Sequence, residues 1–156
     1  SQAGLSCNLR GHGMVMSLRG TATGKVFAAY LPRATVTAAL AAEAAWAQAT
    51  ERHRSEQGPA ALPATPGHPS PGLDAAFEQE LQRVRAGGLG AVVDEAVVGV
   101  SALAAPVFDA QGRIVLALTL VGPSATFDAR SEGAIGQQLK RCADELTLRT
   151  GGQAPA

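Results

Sequence analysis

The chain has 156 residues, enough for one compact domain, with 13 Lys plus Arg against 13 Asp plus Glu and so no net charge. Without a basic excess these residues are not built to grip phosphates, which argues against direct DNA binding. No apolar run approaches the ~20 residues needed to cross a bilayer, and the opening SQAGLSCNLR has neither the charged nor the apolar region of a secretory signal.

The absence of an initiating Met leads to the expectation that the chain was cut from something longer. Cys7 and Cys142 are far apart in sequence; a pairing stays open, and two buried free thiols of a cytoplasmic protein is the favoured reading. Aromatic residues make up 4% of the chain, while Ala and Gly abound, so the core must be built from small and branched aliphatics and could leave room for a guest.

Residues 1–18 alternate in part, through Leu5, Cys7 and Leu9 and then Met14, Met16 and Leu18, which predicts one or two short strands around Gly11-His12-Gly13. A helix should follow, capped by Thr21, with Val26, Phe27, Tyr30 and Leu31 on one face and Pro32 at its end. A second helix is predicted from about Ala34 to Ala49, with Val36, Leu40, Ala44 and Ala47 on one stripe and Trp46 beside it. The pattern then stops. Residues 51–72 carry most of the prolines and two of the three histidines, and read as a long loop, either a mobile surface excursion or a functional one.

An amphipathic helix should run from Asp74 to about Ala86, with Leu73, Phe77, Leu81 and Val84 inward and Gly87-Gly88 as its stop. Leu89 to Val93 reads as a strand, and Asp94-Glu95 as a polar break. The stretch from Gly99 to Pro123 is predicted to be two strands joined by the turn Asp109-Ala110-Gln111-Gly112. Both arms are apolar on both faces, so this hairpin should lie mid-sheet, covered on both sides. So short an apolar run could also be a buried helix; the β-branched content and Pro106, at an edge or bulge, favour strands. A last helix should begin near Asp128, with Ile135, Leu139, Cys142 and Leu146 inward, and end at Gly151-Gly152. The order predicts an α+β fold, an antiparallel sheet with helices on its faces.

No catalytic constellation emerges. Gly20 to Lys25 has only three residues between its glycines and Val26 after the Lys, so it is no nucleotide-binding loop. What remains is a helix start whose free N–H groups at Ala22 and Thr23 could hold a carboxylate; the simpler alternative is that Thr21 caps the helix and Gly24 permits close packing. Gly99-Val100-Ser101 lacks the final Gly and the strand-to-helix turn of a hydrolase elbow. His12, His53 and His68 have no metal-ligand spacing, and Asp94-Glu95 reads better as a loop cap or surface pair than as an acid–base couple. Neither a metal nor a cofactor is expected.

Two segments, SLRGTATGKVFAAYLP (Ser17 to Pro32) and ELQRVRAGGLGAVVDEAVVGVSALAAPVFDAQGRIVLALTLVGP (Glu80 to Pro123), resemble the C-terminal effector-binding domain of IclR-type bacterial transcriptional regulators. AAPVFDAQG with LVGP shortly after it carries most of the specificity. The resemblance implies a GAF-like fold with a central antiparallel sheet, helices on both sides and a small-molecule cavity. It further implies an N-terminal winged helix-turn-helix domain, absent here, through which alone DNA is bound, a homodimer or homotetramer, and a fragment that lacks the domain's first strands. Carried across position by position, the family's pocket falls on the backbone at Ala22 and Thr23, on Val92, on Ala102, and on Thr119 and Val121.

Leu89 stands where the family usually has Tyr, and Val92-Val93 replaces part of an acidic cluster. Three of the last four pocket positions are apolar, and burying a polar ligand without partners costs several kcal/mol. The expected effector is therefore mostly apolar or aromatic, with any carboxylate on the Ala22–Thr23 backbone; the alternative is that these residues only fill a core. A small hydrolase or transferase on a related sheet and a purely structural oligomerisation domain are the competing classes.

Overall fold

The computed structural model describes residues 17–57 and 72–156. The elements are α1 (Ala22–Tyr30), α2 (Arg33–Gln57), α3 (Ala75–Gly87), β1 (Gly90–Val93), β2 (Val100–Phe108), β3 (Ile114–Pro123) and α4 (Ala134–Arg149). The three strands form one antiparallel sheet in the order β1-β2-β3. On one face Val26 of α1, Val36 and Leu40 of α2, and Phe77, Leu81 and Val84 of α3 pack over Val92, Ala102 and Ala104. On the other, Leu139 and Ala143 of α4 pack over Leu103, Ala105 and Val107. This is the expected α+β arrangement, with helices on both faces.

The local signals act as expected. Thr21 caps α1, its hydroxyl accepting from the Gly24 N–H at 2.9 Å, and Asp74 caps α3 through the Phe77 N–H at 2.8 Å. Gly88 closes α3 in the left-handed conformation, at φ 71°. In the β2–β3 turn the Asp109 carboxylate accepts from the N–H groups of Gln111 and Arg113, both at 2.9 Å. Pro106 lies past the end of β1, at a step of β2 that has no β1 partner, so its missing N–H removes no ladder bond there.

Four expectations are corrected. First, α2 runs on to Gln57 and absorbs the start of the predicted 51–72 loop; residues 58–71 lie outside the described residues. Among the α2 residues whose side chains are described, only Val36 and Leu40 are buried, while Trp46 is 52% exposed, so the helix continues on its own propensity beyond its packed first turns. Second, the last helix starts at Ala134, six residues after Asp128, because that carboxylate is committed to Arg130, at 2.9 Å through each of two guanidinium nitrogens. Third, Cys142 is exposed; Gly136, Leu139, Ala143 and Thr147 form the buried side of α4. Fourth, β2 is covered on both faces, but among the described residues β3 is an edge strand, with Val121 65% exposed. The strands expected in residues 1–18, and Cys7, lie outside the described residues except for Ser17 and Leu18, which lead into a turn.

α1 rests on the sheet at Gly90. A Cβ there would stand 2.7 Å from the Ala22 carbonyl oxygen and 2.8 Å from Val26 Cγ2. Gly90→Ala should therefore push α1 off the sheet and lower stability by about 1–3 kcal/mol, read as a lower urea midpoint at unchanged slope.

Hydrogen bonds hold three carboxyls below the usual range. They come from the Phe77 N–H and Arg19 at Asp74, from the Arg113 and Gln111 N–H groups at Asp109, and from the Arg130 guanidinium and N–H at Asp128, which falls to about 2. A carboxyl depressed in the folded state stabilises fully above its unfolded value and loses that contribution as pH falls. Stability should thus be flat in pH down to about pH 5 and drop from about pH 4 towards pH 2. Asp74→Asn and Asp128→Asn should each flatten that drop, as followed by thermal melts.

Candidate functional site

Register puts the four predicted site residues of the strands in two adjacent rows on the α1 face of the sheet, and Ala22 and Thr23 begin α1. Val92, Ala102 and Val121 pair directly across the three strands, and Gly90, Ala104 and Thr119 form the next row. α1 begins above that second row, because glycine at position 90 lets the helix come within contact of the backbone. Its second residue meets the sheet through a hydroxyl pair: Thr23 Oγ1 and Thr119 Oγ1 are 2.7 Å apart. Val92 and Ala102 are buried, Thr23 is half-buried, and Thr119 and Val121 are exposed along β3. The apolar row therefore opens from a closed floor at Val92 towards solvent at Val121.

The N-terminus of α1 is only partly satisfied from within. Thr21 takes the Gly24 N–H, and the Lys25 N–H bonds the Thr21 carbonyl. Among the described residues no acceptor meets the N–H groups of Ala22 and Thr23, the first two of the helix. They point outward at the positive end of the helix dipole, beside the two threonine hydroxyls. The capping role of Thr21 and a vacant pair of donors thus exist together. The described residues form clefts of about 420 Å³ and 430 Å³ elsewhere, and none of the six site residues lines either.

Sequence reasoning missed Lys25. Its side chain is 7% exposed, and its ammonium donates to both Glu95 oxygens at 3.0 and 3.1 Å and to the Ala91 carbonyl at 3.4 Å, with Glu80 at 3.3 Å. One buried cation thus ties the first turn of α1 to α3, to β1 and to the β1–β2 loop. The only cue in the sequence was a Lys directly after Gly24 inside an apolar helix; its partners lie 55 and 70 residues away.

Asp94 holds that loop shut. At φ 55° it accepts from the Gly99 N–H at 2.8 Å and the Ser124 hydroxyl at 2.7 Å, so it is the loop cap the sequence favoured. Ser101 is 1% exposed and shares a 2.8 Å hydrogen bond with Ser124, so it is a strand residue out of reach of a substrate. Among the described residues no three metal-ligating side chains gather, and no helix is long and apolar enough to cross a membrane.

An antiparallel sheet between helical layers, with a partly unsatisfied helix start over one face, defines a GAF-like α+β domain. The family described as bacterial transcriptional regulator IclR C-terminal matches residues 73–148, and the chain belongs to it. The crystal structure of HmgR from Pseudomonas aeruginosa is similar at 34% identity and TM-score 0.64, covering 92% of this chain and 49% of that one. An IclR regulator from Silicibacter sp. TM1040 is similar at 25% identity and TM-score 0.65, covering 94% and 53%. A double mutant of the inducer binding domain of PobR from Acinetobacter, in complex with 3-hydroxybenzoic acid, shares the fold at 23% identity and TM-score 0.55, covering 85% and 66%. No curated protein sequence matches significantly. The chain spans about half the length of the HmgR and Silicibacter regulators. It is an effector-binding domain of a regulator family, not of an enzyme family.

The Lys25 node predicts an asymmetry. The carboxylates are 37% and 46% exposed, so Lys25→Met returns them to water. Glu80→Gln with Glu95→Gln instead strands a buried ammonium, which costs about 3–5 kcal/mol. Urea titration should therefore show the double carboxylate variant to be the less stable of the two.

Proposed function

We propose that this domain senses a small, mostly apolar or aromatic acid, with its carboxylate on the Ala22 and Thr23 N–H groups and its body along Val92, Ala102 and Val121. The observation that carries the reading is the pair of N–H donors without an acceptor, set beside the Thr23–Thr119 hydroxyl pair at the head of an apolar row. Two N–H groups, two hydroxyls and a helix dipole suit one carboxylate. The apolar row offers nothing to the polar groups of a compact keto acid, which would be desolvated without return. That a domain of the same fold holds 3-hydroxybenzoic acid in PobR supports an aromatic acid as the first ligand to try.

The β3 edge belongs to the same proposal. The Ser124 N–H bonds the Gly99 carbonyl, so alternation turns the N–H and C=O groups of Thr119 and Val121 away from β2. Strands added on that side would wall the pocket and cover Val121. In the whole regulator the ligand's effect would pass to an N-terminal winged helix-turn-helix domain, the part that contacts DNA, in a homodimer or homotetramer.

Calorimetric titration with 3-hydroxybenzoate and with pyruvate tests the reading. The aromatic acid should bind and pyruvate should not. Thr23→Val and Thr119→Val should each weaken binding about tenfold, the value of one hydrogen bond to a charged group. Ala102→Leu should abolish it by filling the floor. Tighter binding of pyruvate, or no binding of either acid, would overturn the proposal.

A further inference from the structure

The far end of α1 borders a second cleft, of about 430 Å³, that the proposed effector site does not use. It exists because β1 stops at Gly90 while β2 continues past Ala104 through Pro106 to Phe108, leaving that half of β2 without a neighbour on the β1 side. Ala105, Pro106 and Phe108 make an apolar floor, and Tyr30 stacks edge-on against Phe108 with ring centroids 5.0 Å apart. The C-terminal residues 154–156 form one wall. They are pinned outside the cleft by Gln153, whose N–H bonds the Asp109 carbonyl at 3.0 Å and whose amide bonds the Ala110 carbonyl at 2.8 Å.

The polar groups facing this cleft divide into spent and unspent. The Arg85 guanidinium is spent, donating to the Ala29 carbonyl at 3.0 Å and to Glu78 at 3.1 Å. The Tyr30 hydroxyl and the half-buried Lys140 ammonium have no hydrogen-bond or ion-pair partner among the described residues. Lys140 folds over Gly88, where an added Cβ would lie 3.4 Å from the ammonium; the missing side chain gives the lysine its place. Asp144, one turn further along α4, also lines the cleft but makes no salt bridge to Lys140 among the described residues. Burial pushes the Tyr30 phenol up, so it is a neutral donor across the ordinary pH range.

We infer that this cleft is a second ligand site, taking a small planar carboxylate whose acid group meets Lys140 and the Tyr30 hydroxyl and whose flat body lies on Pro106 and Phe108. A half-buried ammonium that makes no salt bridge among the described residues, a phenol without a hydrogen-bond partner there and an apolar floor supply what such a ligand needs. Asp144 opposes it, which makes the site testable in both directions. The site sits at the opposite end of α1 from Thr23, about 10 Å along the helix axis at 1.5 Å per residue.

The test is a benzoate titration of the 156-residue chain followed by amide ¹H–¹⁵N spectra. The N–H signals of Gly88, Ala105 and Ala143 should move with a common dissociation constant. Lys140→Met should weaken that constant at least tenfold, Tyr30→Phe about threefold, and Asp144→Asn should tighten it a few-fold. Thr23→Val and Thr119→Val should leave it unchanged, so failure at one end of α1 is read separately from failure at the other. Still signals at Gly88, Ala105 and Ala143 at millimolar benzoate would overturn the inference, as would shifts indifferent to Lys140→Met.

Discussion

The close approach of α1 to the sheet at Gly90 is the constraint from which the rest of this structure follows. A helix normally rides about a side chain's depth above a sheet. Here the absent Cβ lets the Ala22 carbonyl and Val26 come down onto the strand backbone. That lowers Thr23 to within hydrogen-bond distance of Thr119 and brings Lys25 into reach of the Ala91 carbonyl and Glu95. Raised by one methyl group, the helix start would lose both contacts.

The two contacts work on opposite sides of α1. Thr23–Thr119 pins the helix towards the open β3 edge, where the apolar row reaches solvent. Lys25 pins it towards α3 and the β1–β2 loop, on the closed side. Because the ammonium is buried and its carboxylates keep access to water, the ion pair acts as a one-ended anchor: the cation has nowhere else to go. A helix start fixed at both flanks would lose little freedom on taking the proposed carboxylate, a pre-organisation that would let two N–H groups count in binding.

What the sequence made legible was set by range. Thr21, Asp74, Gly88 and Asp109 act on backbone two to four residues away, and each does what its type and position promise. The six site positions came from the family resemblance and not from local chemistry; four of them fall in two adjacent rows of the sheet, and Ala22 and Thr23 lie at the helix start, where Thr23 meets Thr119. The misses share a different cause. Asp128 has the chemistry of a helix cap, but Arg130 two residues on claims it first, and no propensity ranks those two uses. Cys142 lies on the apolar stripe by spacing, yet the helix turns Ala143 and Thr147 inward, because Thr147 supplies the hydroxyl that the Phe108 N–H needs beside the β-bulge. The Lys25 cluster joins residues 70 positions apart, and nothing local announces it.

That bulge lies at one end of the β2–β3 pair, and β2 itself runs through it without a break. From Val100 to Val107 the strand keeps strict register with β3, so its inward side chains are fixed in the rows that face α1 and α4. Between Val107 and Phe108 the register slips by one because β3 carries an extra residue, Val115, while β2 alternates unbroken and Phe108 stays on the α1 face, where it stacks on Tyr30. The extra residue thus moves Ile114 from the α4 face to the α1 face, where it joins Ala102, Ala104 and Phe108. Phe108 floors the cleft at the end of α1 and gives Tyr30 a ring to rest against. Pro106, which forbids a further strand from pairing there, keeps that end open. A glycine that lowers a helix and a proline that ends a ladder therefore shape the two ends of the same face, one by removing a side chain and the other by removing a donor.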